Sequence, residues 1–329
     1  MTILTKRLFP RLINKFDKDD KLLILIRPDP DSISSACALK FLLNKYKNLD
    51  EICISYEGTI TRLENKALIK SLRMELIQFS HIMMSNYNKI AIVDSQPNHF
   101  KIDFNKKIVV VIDHHPVSLK FNQDVFTDNR PEYGACASIL TEYIKISKLN
   151  IPIWLATALY YGIKTDTSNF ERDTLVQDIR AFTFLYPKVN HNLLKKIEFS
   201  MYPRVLTKYL ETALQNLKRL GNKWLTHLDK VNNPDTCVYI ADFLIHFDRV
   251  TWCLVSGIYK EKLIIIFRTD GYRKDAGKFA SRFFGKLGSA GGHRTAARAE
   301  IPLVNIKNKC KHIESFLFKH LKIAPDPSN

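Results

Sequence analysis

The run Leu22-Leu-Ile-Leu-Ile-Arg-Pro-Asp-Pro-Asp-Ser-Ile-Ser-Ser-Ala-Cys-Ala-Leu39 decides how the chain folds. Leu22 to Ile26 are apolar without alternation. That is too short for a helix buried on all sides but suits a buried parallel strand, which Pro28 and Pro30 then end. Asp29 and Asp31 follow two apart on the turn, and Ser32 to Ser35 are placed to cap a helix through Ala36, Ala38 and Leu39. Both carboxylates can reach one point beyond the strand's carboxyl end, where open α/β sheets bind ligands.

The same sentence of sequence recurs downstream. Glu51–Ser55 alternates as a second strand, and Arg62–Phe79 carries helical spacing. Lys89–Val93 is a third strand, ending at Asp94. Lys107–Ile112 is a fourth, ending at Asp113-His114-His115-Pro116. Helices are expected over Ala135–Leu149 and over Ile153–Ile163, the latter running into Lys164-Thr-Asp166. Strands alternating with helices predict an α/β domain with a parallel, doubly wound sheet over residues 1–190. Residues 191–225 read as a helical connector that includes a basic helix around Tyr202–Leu220. Beyond it, a strand-like Cys237–Ala241, two paired strands (Thr251–Ser256 and Lys262–Phe267) and an amphipathic helix (Lys274–Leu287) predict a smaller α+β domain over 226–329.

Composition bounds the function. The 329 residues suit about two domains, and with 46% hydrophobic and 25% charged residues they can form packed cores. Fifty Lys and Arg against 33 Asp and Glu give a formal charge of +17, which favours an anionic partner such as a nucleotide or nucleic acid. Because the charge is spread along the chain, a composition bias alone also accounts for it. Cys37, Cys53, Cys136, Cys237, Cys253 and Cys310 contain no CxxC pair and read as reduced core residues of a cytoplasmic protein, neither a disulfide frame nor a zinc site. No apolar run approaches the ~18 residues of a membrane span. Met1–Phe16, with four basic residues and no acid, reads as a docked amphipathic helix.

An Asp after a strand is an ordinary turn or cap residue. Here, however, four strand or helix ends deliver Asp29 and Asp31, Asp94, Asp113 with His114 and His115, and Asp166 to one edge of one sheet. So much negative charge needs a counter-ion. Oxygen and imidazole donors without thiolate favour Mn²⁺ or Mg²⁺, and two such ions can activate water and clamp a phosphate.

These motifs in order, Pro28-Asp-Pro-Asp31, Val93-Asp94, Asp113-His-His115 and Gly162-Ile-Lys-Thr-Asp166, followed far downstream by Gly291-Gly-His293, resemble the DHH/DHHA1 phosphoesterase superfamily. Within it the chain is most similar to the two-domain branch of nanoRNases and 3′-phosphoadenosine 5′-phosphate phosphatases, with the exonuclease RecJ a more distant relative. The resemblance implies a parallel-sheet DHH domain and a smaller DHHA1 domain with the active-site cleft between them. It implies one or two Mn²⁺ or Mg²⁺ ions: Asp29 on the first, Asp31, His114 and Asp166 on the second, and Asp94 bridging. His115 then faces the substrate phosphate, and Arg268, Gly291, Gly292, His293 and Arg294 grip a nucleotide phosphate. A short oligonucleotide or nucleotide is the expected partner, with no membrane, and a homodimer is left open. One position departs from the family: Leu25 stands where a histidine ligand to the first metal is usual. A binder with weakened or lost turnover and a longer-strand exonuclease are therefore the alternatives.

The remaining chemistry-bearing residues read blandly. Phe279, Phe283 and Phe284 recur at helical spacing and are expected in a core. Lys274, Lys278, Arg282 and Arg298 read as solvated helix faces or weak anion contacts. Ser95 and Thr167 neighbour expected ligands and can donate to them. His99, His191, His227, His246, His312 and His320 stand alone and suggest no role.

Overall fold

The computed structural model describes residues 2–102, 104, 107–119, 124–171, 174–199, 202–272, 274–307, 313 and 315–317. Cys310, His312 and His320 lie outside them. The chain forms two compact units, Met1–Met201 and Tyr202–Asn329. The stretch 191–225, expected as a connector, is shared between them.

The first unit runs α1 (Ile3–Ile13), β1 (Lys21–Ile26), α2 (Pro30–Tyr46), β2 (Glu51–Tyr56), α3 (Leu63–Ser71), β3 (Ile77–Gln78), β4 (Lys89–Val93), β5 (Ile108–Asp113), β6 (Phe126–Asn129), α4 (Cys136–Ser147), α5 (Ile153–Asp166), α6 (Val176–Leu185) and α7 (His191–Glu198). Its six strands are all parallel, in the order β3-β2-β1-β4-β5-β6. This is the doubly wound order in which the sheet reverses between β1 and β4. The turns after those two strands, which carry Asp29, Asp31 and Asp94, therefore flank the crevice at the switch point.

Alternation along β1 divides the core. Leu22, Ile24 and Ile26 face the cluster under α1, α2, α4 and α5, while Leu23 and Leu25 face a second cluster with Ile90, Ile92 and Val111. Leu25 is fully buried there and offers no donor to any site. Arg62–Phe79, expected as one helix, breaks after Ser71, because Arg73 turns left-handed (φ 52°) and Met74 N–H closes on the Ile69 carbonyl. The amino-terminal helix docks as expected, burying Leu8, Phe9, Leu12 and Ile13.

The second unit comprises α8 (Leu206–Gln215), β7 (Lys218–Leu220), β8 (Lys223–Lys230), α9 (Asp235–Ile245), β9 (Trp252–Tyr259), β10 (Lys262–Thr269), α10 (Ala276–Phe284), β11 (Ser289–Gly292), β12 (Ala296–Pro302) and α11 (Val304–Lys307). A mixed sheet in the order β11-β12-β10-β9-β8-β7 carries these helices, an α+β layout. Cys237–Ala241, read as a strand, lies inside helix α9. Cys237, Ile240, Ala241 and Leu244 recur at three- and four-residue spacing and are all buried, which is a helical stripe. Phe284 is fully buried and Phe279 and Phe283 pack against its cluster, so the three aromatics belong to a core. Cys37, Cys53, Cys136, Cys237 and Cys253 are buried free thiols. Among the described residues no helix is long and apolar enough to cross a membrane.

Candidate metal centre

Asp29 and Asp31 do not share a simple turn. Asp29 is the N-cap of α2, accepting from Ser32 N–H at 2.8 Å, while Ser32 Oγ accepts from Asp29 N–H in return. Asp31 already lies in the helix's first turn. Ser32, expected to cap the helix, is thus the N3 partner in a capping box whose N-cap is Asp29. Asp31 caps a different helix: its two oxygens accept from Cys136 N–H and Ala137 N–H, each at 2.7 Å. Ala135, the N-cap of α4, has no side-chain acceptor, and a buried carboxylate from α2 does that work.

Asp166 reaches the same point from the last residue of α5, because α5 lies close against α2 at Gly162. A Cβ there would sit 2.5 Å from Ser34 Oγ and 3.2 Å from both the Asp31 Cα and the Pro30 carbonyl oxygen. Gly162→Ala is therefore expected to push α5 away from Asp31, lowering stability by about 1–3 kcal/mol and metal affinity with it. Adding Ser34→Ala removes the closest clash and should recover part of both. Thermal melts and Mn²⁺ titration of the single and double variants check this, and additive losses would contradict it.

His114 is the hub. Its Nδ1 is 3.0 Å from the Tyr133 carbonyl, an oxygen that can only accept, so Nδ1 carries the proton and Nε2 faces the acids. From Nε2 the distances are 3.1 Å to Asp166, 3.3 Å to Asp94 and 3.9 Å to Asp31. Burial opposes a charge on this ring, but Asp166, Asp94 and Asp31 outweigh it and hold its pKa up at about 12. Burial and the neighbouring carboxylates push Asp31 up to about 7 and raise Asp94 as well. Asp94 sits in the left-handed region (φ 57°), and its Oδ1 is buried without a well-formed hydrogen bond.

Asp113, grouped with the cluster from sequence, points elsewhere. It accepts from His115 Nδ1–H and from Gln96 Nε2, both at 2.8 Å. Although burial opposes its ionisation, these bonds hold its carboxyl below the usual range. His115 thereby carries a proton on Nδ1 and is held in place by it, and its side chain is exposed.

Two groups of three donors come within 4.8 Å of one another among the described residues: Asp94, His114 and His115, and Asp31, His114 and Asp166. Both fit a hard divalent cation. They offer carboxylate and imidazole only, they crowd buried carboxylate oxygens around one ring nitrogen, and their hub histidine has Nδ1 taken by the Tyr133 carbonyl so that Nε2 faces the acids. Burial keeps the nearby Cys136 thiol protonated. Asp29 is in neither group. It borders a polar cavity of about 370 Å³ together with Asp94, His115, Arg27, Glu57 and His99. His99 was passed over in the sequence because nothing in a lone histidine after Pro97 signals its surroundings.

The second unit keeps its expected substrate residues on or beside β11 and β10. Arg268 donates from Nε to Asp242 Oδ1 at 2.5 Å and from Nη1 to the Phe267 carbonyl at 3.0 Å. Arg294 donates to the carbonyls of Gly271 and Tyr272. Both guanidiniums thus already hold backbone or an acid. Gly292 needs to be glycine (φ 147°, with a Cβ 2.4 Å from the Ala296 carbonyl oxygen), whereas a Cβ at Gly291 would meet only Ser281 Oγ at 3.8 Å. His293 is exposed.

Fold and site together define a doubly wound α/β protein with an acid–imidazole cluster at the sheet's switch point. Residues 23–163 match the DHH family, N-terminal domain. The matched residues therefore form a DHH-family N-terminal domain. An uncharacterized protein of Methanocaldococcus jannaschii is 36% identical over 294 residues, covering 87% of this chain and 59% of that protein. The bifunctional oligoribonuclease and PAP phosphatase NrnA of Mycoplasma genitalium is 26% identical over 208 residues, covering 58% of this chain and 63% of that protein. The matches thus span about three-fifths of each relative's length. Among solved structures, an exopolyphosphatase-related protein from Bacteroides fragilis superposes with a TM-score of 0.75 at 16% identity, covering 98% of this chain and 96% of that one. Exonuclease RecJ bound to manganese superposes with a TM-score of 0.53 at 12% identity, covering 98% and 95%. At such identities the likeness is one of fold.

Proposed function

We propose that the chain is a divalent-metal-dependent phosphoesterase that hydrolyses short oligonucleotides or nucleotides of the 3′-phosphoadenosine 5′-phosphate kind. The observation that carries the reading is the convergence of Asp31, Asp94 and Asp166 on His114 Nε2 within 3.1–3.9 Å. Asp31, His114, Asp166 and Asp94 would hold one ion, Mn²⁺ or Mg²⁺, and Asp94 with Asp29 a second. A cation there supplies Lewis acidity at the phosphoryl group and a nucleophilic water at neutral pH. Asp113 orients His115 so that its other ring nitrogen, Nε2, is free to meet the substrate phosphate, while Gly291, Gly292, His293, Arg294 and Arg268 are the residues assigned to holding a substrate phosphate. The name of the Mycoplasma genitalium relative supports the substrate class, and the manganese in RecJ supports the metal.

One observation favours a second reading, a nucleotide-binding protein with weakened turnover: Leu25 is buried among apolar side chains, and Asp29 belongs to neither donor group. Purified protein incubated with Mn²⁺ and either a labelled dinucleotide or 3′-phosphoadenosine 5′-phosphate separates the readings. Hydrolysis that chelation abolishes is expected. Tight binding without product supports the second reading, and a preference for long strands with steep salt dependence indicates a RecJ-like exonuclease.

Metal affinity should carry a proton signature. Without metal, the raised carboxyl of Asp31 contributes stability that is complete below its unfolded value of 3.8 and lost as pH rises through about 7. The His114 contribution is complete below 6.5 and is lost towards 12. Chelated protein should therefore melt lower at pH 8 than at pH 5. A cation must displace these protons, so Mn²⁺ binding should tighten about tenfold per pH unit for each proton released. Calorimetry at pH 6, 7 and 8 checks this, and a constant Kd would contradict the His114 assignment.

A further inference from the structure

His99 closes a single turn, Pro97–His99, after β4, and borders the 370 Å³ cavity beside Asp29, Asp94 and His115. Leu25 leaves the first metal position without a histidine, so His99 invites the role of substitute ligand. Its hydrogen bonds point another way. Its Nδ1 accepts from the backbone N–H of Gln96 at 3.2 Å, with Ser95 Oγ at 3.1 Å. A backbone amide can only donate, so Nδ1 is bare and the ring proton sits on Nε2. Gln96 cannot readily turn away: its carboxamide donates to Asp113 and to the Pro116 carbonyl and accepts from Ser118 N–H and Oγ. Ligation through Nε2 would require moving the proton to Nδ1, head-on against the Gln96 N–H.

We propose that His99 is a neutral Nε2–H donor to a phosphoryl oxygen of the bound substrate and not a metal ligand. The inference rests on the phosphoesterase reading for its substrate. Arg27 lines the same cavity and has no ion-pair partner among the described residues. The carboxylates of Asp29, Asp94 and Glu57 share the cavity, so a phosphate would enter it against cations held by those acids, with Arg27 and the His99 Nε2–H as its protein donors, and the His115 ring meets His99 edge-on at 6.1 Å.

The test uses the full chain with His99→Ala and His99→Gln, the latter retaining a donor. Mn²⁺ affinity measured by calorimetry should stay within about twofold of the parent in both. Inorganic phosphate binding to the Mn²⁺-loaded protein should weaken about tenfold in His99→Ala and much less in His99→Gln. Two-bond ¹H–¹⁵N spectra of ¹⁵N-histidine protein should show His99 as the Nε2–H tautomer. A tenfold loss of Mn²⁺ affinity in His99→Ala, an Nδ1–H signal for His99, or unchanged phosphate binding would each overturn the proposal. None of these readouts needs turnover, so a parent protein that hydrolyses no phosphoester refutes the phosphoesterase reading without deciding the role of His99.

Discussion

Asp94→Asn is expected to abolish hydrolysis while raising the melting temperature of the metal-free protein. Asp94 is buried, and burial together with Asp31 and Asp29 raises its pKa against the opposing pull of His114, so on balance the ionised group is unfavourable in the metal-free fold. Asparagine has the same shape, removes the repelling charge and is among the side chains that best tolerate a left-handed backbone (φ 57° here). Relief of this kind is commonly worth about 0.5–2 kcal/mol, or a few degrees in a domain of this size. On the proposed reading Asp94 is shared between two metal positions, and losing it would remove Lewis-acid stabilisation worth several kcal/mol, about a thousandfold or more in rate. Melting curves in a chelating buffer and turnover with Mn²⁺ are the two measurements. A residue that merely shaped the fold would lose stability and activity together, and that outcome would remove Asp94 from the centre.

The sequence makes some parts of this molecule plain and hides others for physical reasons. β1, β4 and β5 are legible because strands buried on both faces are continuously apolar, and an acid at the end of each lies at the sheet's ligand edge whatever the strand order. The order itself is not legible, since β3 has two residues and β6 four, too few to show a period. Cys237–Ala241 reads as a strand rather than as part of α9 because five apolar residues fit a strand as well as one face of a helix. Only Leu244, one turn further on, fixes the period. Asp31, Asp94, His114 and Asp166 could be singled out by position, but not the division of labour among their neighbours. Asp113 serves His115, Asp31 also caps α4, and the tautomers of His99 and His114 are set by the Gln96 amide and the Tyr133 carbonyl. Backbone groups carry no sequence signal, so a histidine whose role depends on one reads as a bystander.

Arg130→Met is expected to be the most destabilising single change near the centre. Arg130 is 2% exposed and forks onto both oxygens of Asp128 at 2.8 Å, while Nη1 reaches Glu142 at 3.0 Å and the Tyr133 hydroxyl at 3.1 Å. Tyr143 donates to Asp128, and Thr5 of α1 donates to Glu142. Removing the cation alone leaves two buried carboxylates without their partner, a loss of about 3–5 kcal/mol and on the order of 10 °C. Replacing Asp128, Arg130 and Glu142 together with Leu, Met and Leu should return part of that stability, because no ion is then desolvated, while the Tyr143 and Thr5 hydroxyls lose their acceptors. Activity should not return with it. Arg130 N–H bonds the Asp113 carbonyl and its own carbonyl accepts from Tyr133 N–H, so the turn it anchors carries the Tyr133 carbonyl that orients His114. If the triple variant regained stability and full turnover alike, the network would be a core element only. If it regained stability while Mn²⁺ affinity and turnover stayed low, the buried charges are what hold His114 in its ligating geometry.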